Sequence, residues 1–319
     1  MNTGAPHTTK IKVIGVGGAG SNAVTRIMQS RLRGVDLVAV NTDIQDLQKV
    51  RTHQKLRIGK NLTMGLGAGM NPEIGRQAAE ENRKEITEIL EGSDMVFLTA
   101  GLGGGTGTGA LPVVADIAKS LGILTIAVVT KPFTFEGLQR AKVAESGLEN
   151  LKDKVDTLLV IPNDKVLLHC DKDTTLLTAF WMCDDVLRQA VQGITDLILF
   201  PGIINVDFAD VKTIMKNSGP ALFGMGKAKG EKKVEEAVNA AINSPLLDFS
   251  SISGARGILF NISGGEDLGL VDIDEAAKII TKNIDPKAKV IFGAVQDKRL
   301  KRGEMKITII ATGFTPQVK

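Results

Sequence analysis

Apolar runs of strand length alternate with segments of helical period along the first half of the chain. Strands are predicted at Lys10 to Val16, Leu37 to Asn41, Met95 to Ala100, Leu124 to Thr130 and Thr157 to Ile161. Helices are predicted at about Gly20 to Ser30, after Asp43, from Pro72 to Leu90, after Gly109 and near Gly137 to Leu151. Because the strands are rich in β-branched residues and apolar on both faces, they predict a mainly parallel sheet covered on both sides by helices.

A long apolar segment with helical spacing, Leu176 to Leu199, predicts a buried linking helix. After it the pattern changes to helices near Asp207, Glu231 to Asn243 and Asp274 to Ile284, and to strands at Gly257 to Ile262, Val290 to Val295 and Met305 to Ala311. This order predicts a smaller α+β domain. The predicted division is therefore a first domain at 1–175, a central helix at 176–200 and a second domain at 201–319.

The glycine-rich run Gly101 to Ala110 stands between a predicted strand and a predicted helix. With few side chains, its backbone can turn tightly and direct successive N–H groups at an anion, and the N-terminus of the following helix adds its dipole. Thr106 and Thr108 add hydroxyl groups. A flexible linker is the alternative, but a linker is not expected between a buried strand and a helix. The run predicts a phosphate-binding loop.

Two further glycine loops leave the identity of the ligand open. Gly15 to Gly20 satisfies GxGxxG after a strand, and Asp43 follows the second strand at the distance of a ribose-binding acid, so a dinucleotide-dependent oxidoreductase is a competing interpretation. A third loop lies at Gly65 to Gly69. Three loops on one phosphate chain suit a nucleoside triphosphate better, and the sequence contains no GxxxxGK[ST] motif, so amide groups and a metal ion must neutralise the phosphates.

Asp207 and Asp210 are two carboxylates, three residues apart, at a predicted helix start. They could cap the helix and favour its dipole, or they could polarise a water molecule for hydrolysis. The spacing alone does not say what Asp207 faces.

Composition argues against several classes of function. The net charge is only +3 and the aromatic content 4%, which argue against a nucleic-acid partner. No apolar run approaches the ~20 residues of a membrane span, and Cys170 and Cys183 have no metal-binding spacing, so we expect a cytoplasmic protein without membrane insertion. The basic run Lys298 to Arg302 is predicted to be a solvated hairpin tip.

Three of these motifs together resemble the FtsZ family, bacterial relatives of tubulin: GVGGAGSNAV from Gly15, GGGTGTG from Gly103 and NVDFADV from Asn205. The resemblance continues through VNTD at Val40, GLGAGMNPEIG at Gly65, VVTKPFTFEG at Val128, IPND at Ile161, DVLRQAVQGI at Asp185, SPLL at Ser244 and SGARG at Ser253, and covers about Ile11 to Phe314. It implies a Rossmann-like GTPase domain joined by a central helix to a C-terminal domain.

The resemblance also implies a role for individual residues. Those expected at the phosphates are Gly17, Gly18, Ala19, Gly104, Gly105, Thr106, Gly107, Thr108 and Gly109, with Ala68 and Gly69 near the terminal phosphate. Glu136 and Arg140 match the ribose-side pair, and Asn22, Asn163, Phe180 and Asp184 match the guanine-binding positions. From the residues alone, Glu136 and Arg140 could be a helix salt bridge and Phe180 a core residue. The dipeptide Trp181-Met182 is bulkier than expected beside a nucleotide.

Asn205, Asp207 and Asp210 match the catalytic loop, which in the family completes the GTPase site of the neighbouring subunit. The resemblance therefore implies head-to-tail filaments of the division ring at mid-cell, GTP or GDP as ligand, and Mg²⁺ bound mainly through phosphates and water. The implied partners are further copies of the chain, division-machinery proteins and membrane-tethering proteins. A member that binds GTP as a structural ligand with little turnover is the alternative, which the two carboxylates disfavour.

Overall fold

A computed structural model of the chain describes residues 9–30, 32, 34–168, 170–171, 173–199, 202–244, 252, 254–282 and 284–314. Over these residues the strands are β1 (Ile11–Val16), β2 (Val35–Asn41), β3 (Gln54–Arg57), β4 (Met95–Gly101), β5 (Leu124–Lys131), β6 (Thr157–Pro162), β7 (Gly219–Lys229), β8 (Gly257–Gly264), β9 (Lys289–Gln296) and β10 (Glu304–Thr312). The helices are α1 (Gly17–Gln29), α2 (Ile44–Lys49), α3 (Lys60–Thr63), α4 (Pro72–Glu81), α5 (Arg83–Leu90), α6 (Thr106–Ser120), α7 (Leu138–Leu151), α8 (Asn163–Leu167), α9 (Leu176–Leu199), α10 (Phe208–Met215), α11 (Lys233–Ile242) and α12 (Leu270–Lys282).

The strands form one sheet in the order β3-β2-β1-β4-β5-β6-β7-β10-β8-β9. The first six are parallel to their neighbours. Met95 to Ala100 of β4 are all buried, because helices cover both faces of the sheet. The predicted α/β fold with a mainly parallel sheet is confirmed.

The second half of the chain continues the same sheet. β6 and β7 pair in parallel over only Thr157–Leu159 and Gly219–Ala221. Beyond them β10 runs antiparallel to both β7 and β8, and β9 is parallel to β8. With α11 and α12 packed on them, these strands make the predicted smaller α+β part. The division at 175 and 200 stays a prediction.

Helix α9 has the predicted bounds, Leu176–Leu199. Its 24 residues span about 36 Å at 1.5 Å per residue. Leu187 and Ile194 join a core that also contains Phe97 of β4 and Phe223 of β7, so α9 packs against both halves of the sheet. Among the described residues, no helix combines the length and apolar character needed to cross a membrane.

Two helix predictions are wrong in their bounds. Helix α6 begins at Thr106 rather than after Gly109, so the second half of the glycine run is the first turn of a helix. The helix predicted from Pro72 to Leu90 is two helices, with Asn82 between them. The Asn82 side chain accepts a hydrogen bond from the Gly59 backbone N–H at 2.8 Å, which ties the break to the preceding loop.

The prediction of a hairpin at Lys298 to Arg302 is also wrong. Strand β8 lies between β9 and β10, so the basic run is a crossover connection. Arg299 bonds to Asp297 and to buried Asp196 of α9, both within 3.0 Å. A run of charges indicates an exposed turn but does not determine which strands pair, because that pairing is non-local.

Strand β7 has no counterpart in the sequence prediction. Its Gly224 and Gly226 lie against α11, where an added Cβ would come within 2.1 Å of the Ala241 carbonyl oxygen and 2.0 Å of the Ala237 carbonyl oxygen. The glycines that let the helix approach therefore obscure the strand pattern.

Candidate functional site

A cavity of about 490 Å³ lies at the carboxyl ends of β1, β4 and β5, where the glycine loops meet. Parallel strands bring the loops that follow them to one edge of the sheet, the usual position of ligand sites in such folds. The wall is formed by Gly17, Gly18, Ala19, Asn41, Asp43, Asp46, Leu66, Gly67, Ala68, Gly69, Met70, Gly101, Leu102, Gly104, Gly105, Thr106, Gly107, Thr130, Pro132, Glu136, Arg140, Asn163, Phe180, Cys183 and Asp184. Fourteen predicted binding residues are among them: Gly17, Gly18, Ala19, Ala68, Gly69, Gly104, Gly105, Thr106, Gly107, Glu136, Arg140, Asn163, Phe180 and Asp184.

The first loop turns directly into α1 at the cavity wall. Gly17 has a φ of +74°, and an added Cβ there would come within 2.8 Å of the Gly107 backbone nitrogen. No side chain caps the N-terminus of α1, so its first backbone N–H groups have no acceptor within the helix. These N–H groups can bind an anion in the cavity.

The second glycine loop places the N-terminus of another helix at the same wall of the cavity. Helix α6 begins at Thr106 with Gly105 as N-cap, and again no side chain caps it. The Thr106 hydroxyl is 2.6 Å from the Thr42 hydroxyl, which links this loop to the end of β2. Two uncapped helix N-termini therefore converge on one wall, and their dipoles add at a single anion site.

Thr108 and Gly109 do not line the cavity. Thr108 is buried, and its hydroxyl accepts a hydrogen bond from the Gly103 N–H at 2.9 Å, which holds the loop where Gly103 has a φ of +100°. Gly109 lies against α4: an added Cβ would come within 1.9 Å of the Pro72 carbonyl oxygen. The two residues shape the loop and its packing from behind.

The loop between α3 and α4 forms part of the cavity wall beside the N-terminus of α6. A Cβ added to Gly105 would come within 2.8 Å of the Ala68 Cβ, whereas a Cβ on Gly69 would meet nothing within 4 Å. Asp43 and Asp46 lie beside this wall. The Asp43 carboxylate accepts from the N–H groups of Gln45 and Asp46 at 2.8 and 3.1 Å, so it caps α2.

An aromatic group borders the other end of the cavity. The Phe180 ring meets the buried Phe133 ring edge-on at 5.3 Å, and Phe133 stacks on Phe135 at 4.8 Å. Glu136 accepts from the Phe133 N–H and is ion-paired with Arg140, so the predicted i,i+4 salt bridge is present.

Two buried polar side chains at the aromatic end of the cavity can bind a ligand. Asn163 is 6% exposed, and its Oδ1 has no hydrogen-bond partner among the described residues. Asp184 is 8% exposed and accepts from the Arg26 Nε at 3.0 Å. Burial raises the pKa of Asp184 to about 6, against the lowering effect of Arg26.

The remaining predicted residues lie elsewhere. Asn22 is exposed on α1 and is not part of the cavity wall. Asn205, Asp207 and Asp210 are exposed on the loop that leads into α10. The Asn205 Oδ1 accepts from the Gly202 N–H at 2.6 Å, whereas the Asp207 and Asp210 carboxylates have no hydrogen bond or ion pair within the described residues, so Asp207 does not cap α10 through its side chain.

This carboxylate loop is far from the cavity in the same chain. A Cβ added to Gly293 would lie 3.0 Å from Leu197 and 3.2 Å from Val206, which puts the loop beside the C-terminal end of α9. Asp184, on the cavity wall, lies near the other end of that helix, and α9 rises about 20 Å between Asp184 and Leu197. One chain does not bring the carboxylates to the cavity.

Comparison with known proteins identifies the family and the fold. A model described as the GTPase domain of the tubulin/FtsZ family matches residues 10–171, and one described as the C-terminal domain of the FtsZ family matches 219–315. The chain belongs to the tubulin/FtsZ family. It is similar to an FtsZ dimer from M. jannaschii, with 48% identity over 96% of this chain and 89% of that chain and a TM-score of 0.91. CetZ2 from Haloferax volcanii, 22% identical over 97% and 94% with a TM-score of 0.81, shares the fold.

As a member of the tubulin/FtsZ family, the chain is a GTPase that binds GTP and GDP and converts GTP to GDP and phosphate. The competing prediction of a dinucleotide-dependent oxidoreductase is wrong. The GxGxxG loop and Asp43 misled because a tubulin/FtsZ sheet places the same strand, loop and helix order at its nucleotide site, and here Asp43 caps α2.

Of the cavity residues, the sequence did not single out Asn41, Asp46, Met70, Thr130, Pro132 and Cys183, and it indicated Leu66, Gly67, Gly101 and Leu102 only as part of the predicted glycine loops. A usable signal existed for some of them. Asn41, Gly101 and Thr130 stand at or near the carboxyl ends of predicted parallel strands, where ligand-binding residues collect. Buried Asn41 also has no partner for its Nδ2 among the described residues, so it can donate into the cavity.

Proposed function

We propose that this chain polymerises head to tail and that each GTP is hydrolysed between two copies, one giving the nucleotide cavity and the next giving Asn205, Asp207 and Asp210. The observation that carries the proposal is the separation within one chain: a cavity suited to phosphate lacks the exposed carboxylates that lie at the other end of α9. A second copy is the simplest source of these groups. A heterologous contact of this kind does not close, so it produces a filament.

In the proposed nucleotide position, the phosphates bind the N-termini of α1 and α6. The loop residues assigned to them are Gly17, Gly18, Ala19, Gly104, Gly105, Thr106 and Gly107, with Ala68 and Gly69 at the terminal phosphate. Ribose lies at Glu136 and Arg140. Guanine lies on Phe180 and bonds to Asp184 and Asn163, a position supported by the unpartnered Asn163 Oδ1. Asn22 reaches the base only if its exposed side chain turns toward the cavity mouth.

The proposed chemistry is attack of water on the terminal phosphorus of GTP, with cleavage of its bond to the oxygen that bridges the last two phosphates and departure of GDP. The Asp207 or Asp210 carboxylate of the adjoining copy accepts a proton from that water, and the uncapped N–H groups of α1 and α6 stabilise the negative charge that the phosphates carry. Hydrolysis then depends on assembly because neither copy has both parts.

Exposed apolar side chains support contact at both ends of the molecule. Leu66 is 84% and Leu138 81% exposed beside the cavity, and Met64 is 80% exposed. At the carboxylate loop, Ile203 is 61% exposed. Contiguous exposed apolar patches mark surfaces that bind another protein, and we propose that these side chains belong to such patches.

Magnesium belongs to this proposal as a phosphate-bound ion. Among the described residues there is no group of three or more His, Cys, Asp or Glu side chains that could hold a metal. The hard oxygen groups present, Asp43 and Asp46, fit water-mediated contact with a phosphate-bound Mg²⁺. When bound, the ion would neutralise phosphate charge, and Asp43 and Asp46 would be the residues that hold it through water.

The relatives add support at a coarser level. The M. jannaschii FtsZ structure is described as a dimer, and the CetZ2 structure as a GTPγS-bound protofilament. By its similarity to FtsZ, we further propose that the filaments form the division ring at mid-cell in the cytoplasm and bind division-machinery and membrane-tethering proteins.

The test is the dependence of GTPase rate on protein concentration. We expect the rate per subunit to rise above a threshold concentration, together with filaments in electron micrographs with GTP and their loss with GDP. A rate per subunit that is the same at all concentrations would mean that the site is complete in one chain.

A further inference from the structure

Arg26 of α1 is held between two residues of α9. Its Nε donates to the Asp184 Oδ2 at 3.0 Å, and its guanidinium carbon lies 4.9 Å from the centroid of the Trp181 ring. The Arg26 side chain is 18% and the Asp184 side chain 12% exposed. A guanidinium over an indole face is a stabilising cation–π contact. Trp181 thus covers Arg26, and Arg26 bonds to Asp184, at the end of the cavity where guanine is proposed to bind.

The arrangement explains why a bulky residue is tolerated next to the nucleotide. Successive residues of a helix point about 100° apart. Phe180 faces the cavity, whereas Trp181 is not part of its wall and covers Arg26. The tryptophan, the only one in the chain, therefore lies on Arg26, and Arg26 in turn bonds to Asp184.

We propose that Arg26, clamped by Trp181, is a positioning residue that keeps Asp184 negatively charged and aimed at the base, and thereby sets the preference for guanine. The inference rests on the proposed position of guanine at Asp184. A carboxylate accepts hydrogen bonds from both the N1–H and the N2–H₂ of guanine. The Arg26 bond uses Oδ2, and Oδ1 has no partner among the described residues.

Among the groups around Asp184, Arg26 is the one that favours its ionised form. Burial raises the pKa of Asp184 to about 6, and Arg26 is the cation that opposes this rise, through its hydrogen bond and its charge. Asp185, next on α9, raises the pKa further. Burial raises the pKa of the Cys183 thiol to about 12, which leaves it neutral, and Glu136 on the facing loop is ion-paired with Arg140. Without Arg26, Asp184 would take up a proton near neutral pH.

Affinity for guanine nucleotides should rise with pH. Binding uses the ionised carboxylate, so affinity is full above the pKa of Asp184 and falls as the pH drops through about 6. An opposite charge at this distance lowers a carboxyl pKa by one to three units, so removing Arg26 shifts the midpoint up by about one pH unit or more.

The experiment is calorimetric titration with GDP and with inosine diphosphate between roughly pH 5 and pH 8.5, on the wild type and Arg26→Met. Inosine lacks the N2 amine, so the ratio of the two affinities reports the Asp184 contact. For Arg26→Met, a midpoint raised by about one pH unit leaves about half of the carboxylates ionised at pH 7, so we expect GDP affinity to fall about twofold at pH 7 and about fivefold at pH 6, with the guanine preference reduced over this range and recovered at high pH. An unchanged midpoint and an unchanged preference would overturn the inference.

Matched variants separate this role from a structural one. Arg188→Met removes a cation from α9 that bonds Asp185 instead, and should leave the midpoint in place. Arg26→Lys restores a positive charge and should recover most of the pH profile. If Arg26→Met does not fold, Trp181→Leu should give a smaller shift in the same direction, since Trp181 is 52% exposed, and no shift would count against the inference. Failure of the wild type to bind GDP would instead overturn the proposed position of the nucleotide.

Discussion

The two ends of α9 differ in how closely the surrounding chain is packed and in how much charge it leaves exposed. At the cavity, glycine loops are packed so closely that an added Cβ at Gly17 or Gly105 would meet protein atoms within 3 Å, and Thr108 holds the loop backbone from behind. At the other end, Asp207 and Asp210 are exposed carboxylates without a partner within the described residues. On the proposed function, one chain supplies the nucleotide cavity and another copy supplies the catalytic carboxylates.

The largest effect is expected on GTPase turnover, from a change in the exposed carboxylate loop. We expect Asp210→Ala to reduce GTPase turnover by about 100-fold or more, because general-base catalysis contributes that much. GTP binding should be unchanged and filaments should still form, since the cavity does not include Asp210. Turnover and calorimetric affinity measured on the same preparation check this. Loss of nucleotide binding in this variant would contradict the assignment.

At the packed end, Gly109→Ala should be destabilising although alanine favours helices. Its Cβ would lie 1.9 Å from the Pro72 carbonyl oxygen, and overpacking of this kind costs about 3 kcal/mol of unfolding free energy. Gly104→Ala is the matched control, since its Cβ would meet nothing within 4 Å. Urea denaturation should separate the two variants; equal stabilities would mean that α4 and α6 are not packed as described.

Leu138→Glu tests whether the exposed apolar surface beside the cavity is an interface. We expect the threshold concentration for assembly to rise about tenfold, because burying a carboxylate in a contact is costly. GDP affinity of the monomer should stay the same, and Leu138→Met should behave as the wild type. Sedimentation with GTP measures the threshold. An unaltered threshold would place Leu138 outside the contact between copies.

The smallest effect is expected for Thr108→Val, which keeps the shape of the side chain and removes its hydroxyl. The Gly103 N–H then loses its acceptor, which costs about 1 kcal/mol of unfolding free energy. GDP affinity should fall severalfold because the loop is less well held. Were the stability unaltered and only binding lost, Thr108 would act directly on the ligand.

Sequence periodicity predicted those features that depend on local pattern. Strand β4 is apolar on both faces, and α9 has an uninterrupted helical period, so the predicted bounds of these two elements were nearly correct. Glycine loops after parallel strands predicted the cavity. The FtsZ resemblance supplied the residues proposed to bind guanine, among which Phe180 alone would have been taken for a core residue.

What depends on contacts between distant segments could not be predicted. The glycines of β7 serve the approach of α11, and the partner of β9 is β8 rather than β10. Thr108 points away from the cavity because α6 starts at Thr106, and the helix start cannot be located within a run of glycines and threonines. Likewise, only the fold shows that Arg26 meets Asp184.

The central claim, that two copies share one catalytic site, is tested most directly by mixing two inactive variants. Asp210→Ala keeps the cavity and lacks the catalytic carboxylate. Gly104→Glu keeps the carboxylate loop and puts a negative charge into the phosphate wall, at a position where a Cβ meets no protein atom within 4 Å. Neither variant alone should hydrolyse GTP. The mixture should regain activity, because an Asp210→Ala cavity can meet an intact loop; a mixture no more active than its separate components would mean that two copies do not share the site.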